Sequence, residues 1–140
     1  MCGIIGFIGG EQAAPILLGG LKKLEYRGYD SAGIAILEDG KIEIAKSKGR
    51  LEILSDKIEG GRSFFGTVGI GHTRWATHGE PSDANSHPHR SSSGKFAIVH
   101  NGIIENYAAL KAQLQAQGCI FASETDTAVS YTHLRAHETR

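Results

Sequence analysis

A chain of 140 residues with 15 basic and 15 acidic side chains, a formal net charge of zero and 40% hydrophobic residues has the make-up of one soluble globular domain. Lacking a basic excess, it has no electrostatic means of capturing nucleic acid or an anionic membrane, and its apolar runs fall short of the roughly 20 residues that a membrane span requires. Its two cysteines, Cys2 and Cys119, lie in neither a CxxC nor a CxxH spacing, which excludes a disulfide framework and fits a reducing, cytoplasmic setting.

The apolar, β-branched run Met1–Gly10 (MCGIIGFIGG) predicts a strand buried on both faces, beginning at the terminus itself. From Gln12 to about Glu25, Ile16, Leu17, Leu18, Leu21 and Leu24 recur at helical spacing, with Pro15 tolerated in the first turn. Ser31–Leu37 and Lys41–Ala45 flank Glu38-Asp39-Gly40, and the Asp-Gly step predicts an antiparallel hairpin. Leu51, Ile53, Leu54 and Ile58 then suggest a short helix ending at Gly60-Gly61, and Thr67–Thr73 another strand. Trp75 to Gly94 is a long polar loop rich in Gly, Pro, Ser, His and Asn, where recognition chemistry is expected. Lys95–His100 is predicted as a strand, Asn101-Gly102 as a turn, Ile104–Gln117 as an amphipathic helix capped by Gly118, and Cys119–Ala122 as a final strand. Antiparallel hairpins interleaved with amphipathic helices argue for an α+β fold in which helices cover sheet faces.

The chemistry starts at Cys2. Removal of Met1 would leave one residue holding both a thiol of ordinary pKa about 8.5 and an α-amine of about 7.7–8.0, a pair matched for proton transfer near neutral pH. The plain alternative is a small apolar residue at a frayed end. A thiol attacking a carboxamide generates an oxyanion, and Asn101 with the Gly102 N–H is the best candidate pair of donors for it, against the alternative of an ordinary Asn-Gly turn. An α-amino acid substrate needs a planar cation for its carboxylate and an anion for its ammonium group, tasks that suit Arg74 and Asp126. Asp126 also suits a helix N-cap, and Trp75 is either a movable apolar lid or a core anchor. His87-Pro88-His89 offers two imidazoles to a metal, but no third ligand stands at a recognisable spacing, so no metal is expected. No glycine pattern has the context of a phosphate-binding loop, and no cofactor is called for.

Five blocks carry a resemblance: MCGIIG at the start, LEYRGYDSAGIA at Leu24–Ala35, HTRWATHGEPSDANSHPH at His72–His89, VHNGIIENY at Val99–Tyr107 and SETDTA at Ser123–Ala128. Together and in this order they resemble the glutamine:fructose-6-phosphate aminotransferase family over Met1 to about Val129. The resemblance implies an N-terminal-nucleophile hydrolase fold, a four-layer αββα sandwich of antiparallel sheets that is C-terminally truncated here. It implies a partial class-II glutaminase domain over residues 1–129, followed over 130–140 by a tail, SYTHLRAHETR, that matches nothing in the family.

By matching motif, Cys2 would attack the glutamine side-chain amide with its own freed amine as base, and Asn101 and Gly102 would form the oxyanion hole. Arg74, Thr77, His78 and Asp126 match positions that bind glutamine, Trp75 matches the loop closing over it, and His87 matches a further residue of the site region. The expected partners are L-glutamine and, through a sugar-phosphate isomerase domain absent from this chain, fructose 6-phosphate; the parent enzyme is expected to be a homo-oligomer. Two alternatives stand beside this. One is a class-II amidotransferase with a phosphoribosyl pyrophosphate acceptor, whose motifs read more like QHRGQES and RYSTAG. The other is an inactive fragment that only binds glutamine or glutamate.

Overall fold

The alternation of apolar and small residues in GIIGFI, SAGIAILE and VGIGHTR suits strands that pack one face against helices. In a computed structural model that describes residues 2–27, 30–75, 85–91, 93–102 and 104–121, these segments form one antiparallel sheet. Its strands are β1 (Gly3–Ile8), β2 (Ser31–Glu38), β3 (Lys41–Lys48) and β4 (Val68–Arg74), in the order β1-β4-β2-β3. The helices α1 (Ala13–Leu24) and α2 (Leu51–Lys57) lie on one face. There Leu17, Leu21, Ile34, Ile36 and Leu54 are fully buried, with Ile5 and Phe7 packed against them. Gly69 and Gly71 of β4 let this layer close up, because a Cβ on either would press on Leu17 or Leu21 of α1. Burying each such Leu or Ile side chain contributes about 1.5–3 kcal/mol.

The expectation that β1 is buried on both faces is corrected: Ile5 and Phe7 point to the helices, while Ile4 and Ile8 are 44% and 83% exposed. Among the described residues α1 and α2 pack on one side of the sheet, and a continuous apolar run does not reveal that. The predicted hairpin forms in full, with Glu38 opposite Lys41 and a two-residue turn in which Asp39 and Gly40 have φ of 50° and 75°. Both central residues are left-handed, as the primed turns that match strand twist require.

The opposite face of the sheet is crossed by residues 85–90. A short ladder joins β5 (His89–Arg90) to β6 (Ala97–Ile98), and α3 (Tyr107–Ala116) follows. The strand predicted over Lys95–His100 is therefore only two residues long, matching the length of its partner. The helix predicted from Ile104 starts at Tyr107, whose N–H closes a turn on the Ile104 carbonyl at 3.1 Å. It ends as expected at Gly118, where the Gly118 N–H donates to Gln115 at 3.0 Å and the Cys119 N–H donates to Leu114 at 3.0 Å. That last bond uses the donor a strand ladder would need, and Cys119–Phe121 is irregular rather than the expected strand. Among the described residues no helix is long and apolar enough to cross a membrane.

Candidate active site

Strand register brings the two halves of the site together. Gly3 lies opposite Thr73, and Thr73 also lies opposite Ala32, so Cys2, just before β1, stands beside the end of β4. The Gly3 N–H donates to Thr73 Oγ1 at 3.2 Å, in a space so tight that a Cβ on Gly3 would come within 2.9 Å of that oxygen. Cys2 is half-buried, and its sulfur meets both ends of one residue: the Trp75 N–H donates to Sγ at 3.1 Å, and Sγ approaches the Trp75 carbonyl at 3.5 Å. The Trp75 side chain is 51% exposed, which disposes of the core-anchor alternative, and Arg74 immediately before it is only 3% exposed.

Asn101 reaches the same point from the far end of the β6 segment. Its Nδ2 donates to the Cys2 carbonyl at 3.0 Å, and its Oδ1 lies 2.7 Å from His72 Nε2. Gly102 has φ of 148°, a backbone setting that suits glycine, and a Cβ there would lie 3.1 Å from His100 Nε2. The Asn-Gly step is thus no hairpin turn. It is a sharp exit that sets Asn101 beside Cys2, with the Gly102 backbone N–H next to it.

Behind Asn101 stands a column of three buried imidazoles. His72 and His87 stack with centroids 4.2 Å apart and planes at 25°, and His89 lies 4.5 Å from His87 at 60°. Burial lowers all three pKa values: His72 to about 4, although its bond to Asn101 favours the proton, His89 to about 3, and His87 further still. The rings are neutral at physiological pH. The segment that carries His87 and His89 is held against the sheet by Lys46, whose Nζ donates to the Ser86 carbonyl at 2.9 Å and the Pro88 carbonyl at 3.3 Å. Gly33 lets it approach, since a Cβ there would collide with the His87 carbonyl oxygen.

Of the residues selected from sequence, the structure gathers Cys2, Trp75 and Asn101 by direct contact, with Arg74 and Gly102 as their chain neighbours. His87 joins them through His72, and its ring contacts are with His72 and His89. Thr77, His78 and Asp126 lie outside the described residues. Among the described residues no cluster of three His, Cys, Asp or Glu side chains is placed to hold a metal ion. Sequence reasoning passed over His72, Thr73, Lys46 and Gly33. For His72 a signal existed, because strand alternation in GHTR puts it on the same face as Arg74.

A strand-end thiol residue held beside an Asn-Gly exit on an antiparallel α+β scaffold defines the N-terminal-nucleophile class of amidohydrolase folds. The family model described as the glutamine amidotransferase domain matches residues 59–137, and the chain belongs to that family. The glutamine–fructose-6-phosphate aminotransferase (isomerizing) of Caldanaerobacter subterraneus is 65% identical over 130 residues, covering 92% of this chain and 21% of the relative. The protein of the same name from Aquifex aeolicus is 55% identical over 140 residues, 100% of this chain and 23% of the relative. The chain therefore spans about a fifth of the length of the curated relatives it matches. Among solved structures, a glutamine phosphoribosylpyrophosphate amidotransferase from B. subtilis, in complex with ADP and GMP, superposes with a TM-score of 0.80 at 33% identity, covering 94% of this chain and 28% of that one.

Proposed function

We propose that this chain carries the glutamine-hydrolysing half of a glutamine-dependent aminotransferase that forms glucosamine 6-phosphate from fructose 6-phosphate. Once Met1 is removed, the Cys2 α-amine takes the thiol proton and Sγ bonds to the side-chain carbonyl carbon of glutamine. The oxyanion receives hydrogen bonds from Asn101 Nδ2 and the Gly102 N–H. Collapse of the tetrahedral species expels ammonia as the amine returns its proton, and water then hydrolyses the glutamyl thioester to glutamate. Arg74 pairs with the substrate carboxylate and Asp126 with its ammonium group, Thr77, His78 and His87 complete the pocket, and Trp75 closes over it. The reaction uses no cofactor or metal.

The observation that carries this reading is the meeting of Cys2 and the Asn101 carboxamide at one end of the sheet, with the Trp75 N–H on the Cys2 sulfur at 3.1 Å and Asn101 Nδ2 on the Cys2 backbone carbonyl at 3.0 Å. Fructose 6-phosphate is preferred over a phosphoribosyl pyrophosphate acceptor because relatives named for the former are 55–65% identical, against 33% for the phosphoribosylpyrophosphate enzyme. The acceptor site belongs to the part of the relatives that this chain does not span, and the working enzyme is a cytoplasmic homo-oligomer.

The test is covalent trapping. The purified chain, with Met1 removed, is incubated with a diazoketone analogue of glutamine and the adduct is mapped by mass spectrometry. Labelling is expected at Cys2 and not at Cys119; no labelling of the folded chain supports the fragment that only binds glutamine or glutamate. The same assay tests the domain boundary. A chain ended at Val129 is expected to keep its labelling, residues 130–140 being a tail; loss of labelling would assign those residues to the domain.

A further inference from the structure

We propose that His72 is the positioning residue of the oxyanion site: a neutral imidazole with its proton on Nε2, it holds the Asn101 carboxamide so that Nδ2, and not Oδ1, is turned toward Cys2. The inference rests on the reading of Cys2 and Asn101 given above. It follows from one atom whose role is unambiguous. The Cys2 carbonyl oxygen can only accept, so the Asn101 atom 3.0 Å from it is the Nδ2 donor. Oδ1 is then the atom facing His72, and as an acceptor it requires a proton on His72 Nε2, 2.7 Å away. The other ring nitrogen, Nδ1, is buried with no hydrogen-bond partner among the described residues, as a bare lone pair would be.

The arrangement matters because a primary amide carries two N–H groups. One is engaged by the Cys2 carbonyl, and the second is left for the oxyanion. Rotating the amide by half a turn would set two acceptors, Oδ1 and the Cys2 carbonyl, against each other and present oxygen to the developing negative charge. His72 prevents that rotation, and it is itself fixed, by its place in β4 and by the His87 ring stacked on it at 4.2 Å. The charged and titratable groups around it are Arg74 on its own strand, Lys46 on β3, His87 and His89 on the crossing segment, and His100 beside Asn101. Their side chains are cationic when protonated and oppose a second proton on the ring; burial, the largest effect, outweighs the Asn101 bond and the His100 backbone contact that favour it, and holds the pKa down at about 4.

Phe and Gln substitutions separate holding the amide from merely filling space. Phe keeps a ring to stack on His87 and removes the donor, whereas the Gln side-chain amide places a donor near the Nε2 position. For glutamine hydrolysis by the chain with Met1 removed, His72→Phe is expected to lower kcat about 10²-fold, the usual effect of losing an oxyanion donor, with KM within about 3-fold of the parent. His72→Gln is expected to recover kcat to within about 10-fold. In an Asn101→Ala background His72→Phe is expected to add no further loss, because the group it positions is gone. Multiplying losses in the double variant, or a His72→Gln as impaired as His72→Phe, would overturn the proposal and leave the Cys2 reading standing. Hydrolysis undiminished in Cys2→Ala would remove that reading instead. A long-range proton–nitrogen NMR spectrum of the folded chain tests the geometry without activity: Nε2–H on His72, with an Nε2 shift that moves in Asn101→Ala, is expected, and an Nδ1–H tautomer sinks the idea.

Discussion

The Asn101 amide has two N–H donors and an acceptor oxygen, and before any substrate arrives the oxygen is engaged by His72 and one N–H by the Cys2 carbonyl. What remains is the second N–H, the donor proposed above for the oxyanion. Asn101→Asp keeps the shape but replaces the donor with a carboxylate oxygen. Glutamine hydrolysis is expected to fall about 10²–10³-fold in kcat, read in a steady-state ammonia-release assay, and the urea midpoint is expected to drop as well, because a carboxylate oxygen then faces the Cys2 carbonyl with no proton between them. At the same scale, the three buried histidines make stability depend on acid. Each is neutral when folded, with a pKa of about 4 for His72 and about 3 for His89, while in the unfolded chain each takes up a proton near 6.5. Below pH 6.5 the unfolded state binds more protons, so stability falls as pH drops from about 6.5 toward 4, by up to about 1.4 kcal/mol per pH unit for each ring. Urea midpoints measured across that range test this, and His89→Gln is expected to make the dependence shallower.

Elements in this chain were legible where a local rule decided them. The Asp39-Gly40 hairpin, the α1 stripe of Leu17 and Leu21 and the Gly118 helix end were all readable from spacing, because each is governed by residues within a few positions of one another. A Cβ on Gly40 would meet nothing within 4 Å, and Gly40 has φ of 75°, so Gly40→Ala has a purely conformational cost, expected at about 1 kcal/mol in urea denaturation. Gly33→Ala has a different cause, because there the new methyl strikes the His87 carbonyl oxygen and the segment 85–89 must lift from the sheet. A larger loss, about 1–3 kcal/mol, is expected, together with faster amide exchange in that segment. Nothing in the sequence near Gly33 announces this contact, since its partner is 54 positions away.

The sheet is helix-covered on one side, while the other side carries Ile4, Ile8 and Leu37 at 44%, 83% and 47% exposure. An apolar sheet face of this kind favours association. The 140-residue chain is expected to show concentration-dependent light scattering, and Ile8→Lys with Leu37→Lys to suppress it without lowering the thermal midpoint. By itself the sequence determined the helices and strands with strong periodicity, the α+β class and the choice of Cys2, Arg74, Trp75, Asn101 and Gly102 as residues to watch, because periodicity and side-chain chemistry are local properties. Tertiary structure alone decided which strands are neighbours, which face of β1 is open, and that His72 stands between the Asn101 amide and a buried imidazole column. Those depend on a register joining Gly3 to Thr73 and on the close approach of Asn101 to Cys2, pairings across 70 and 99 positions of chain that are set by packing of the whole sheet and leave no mark on either segment alone.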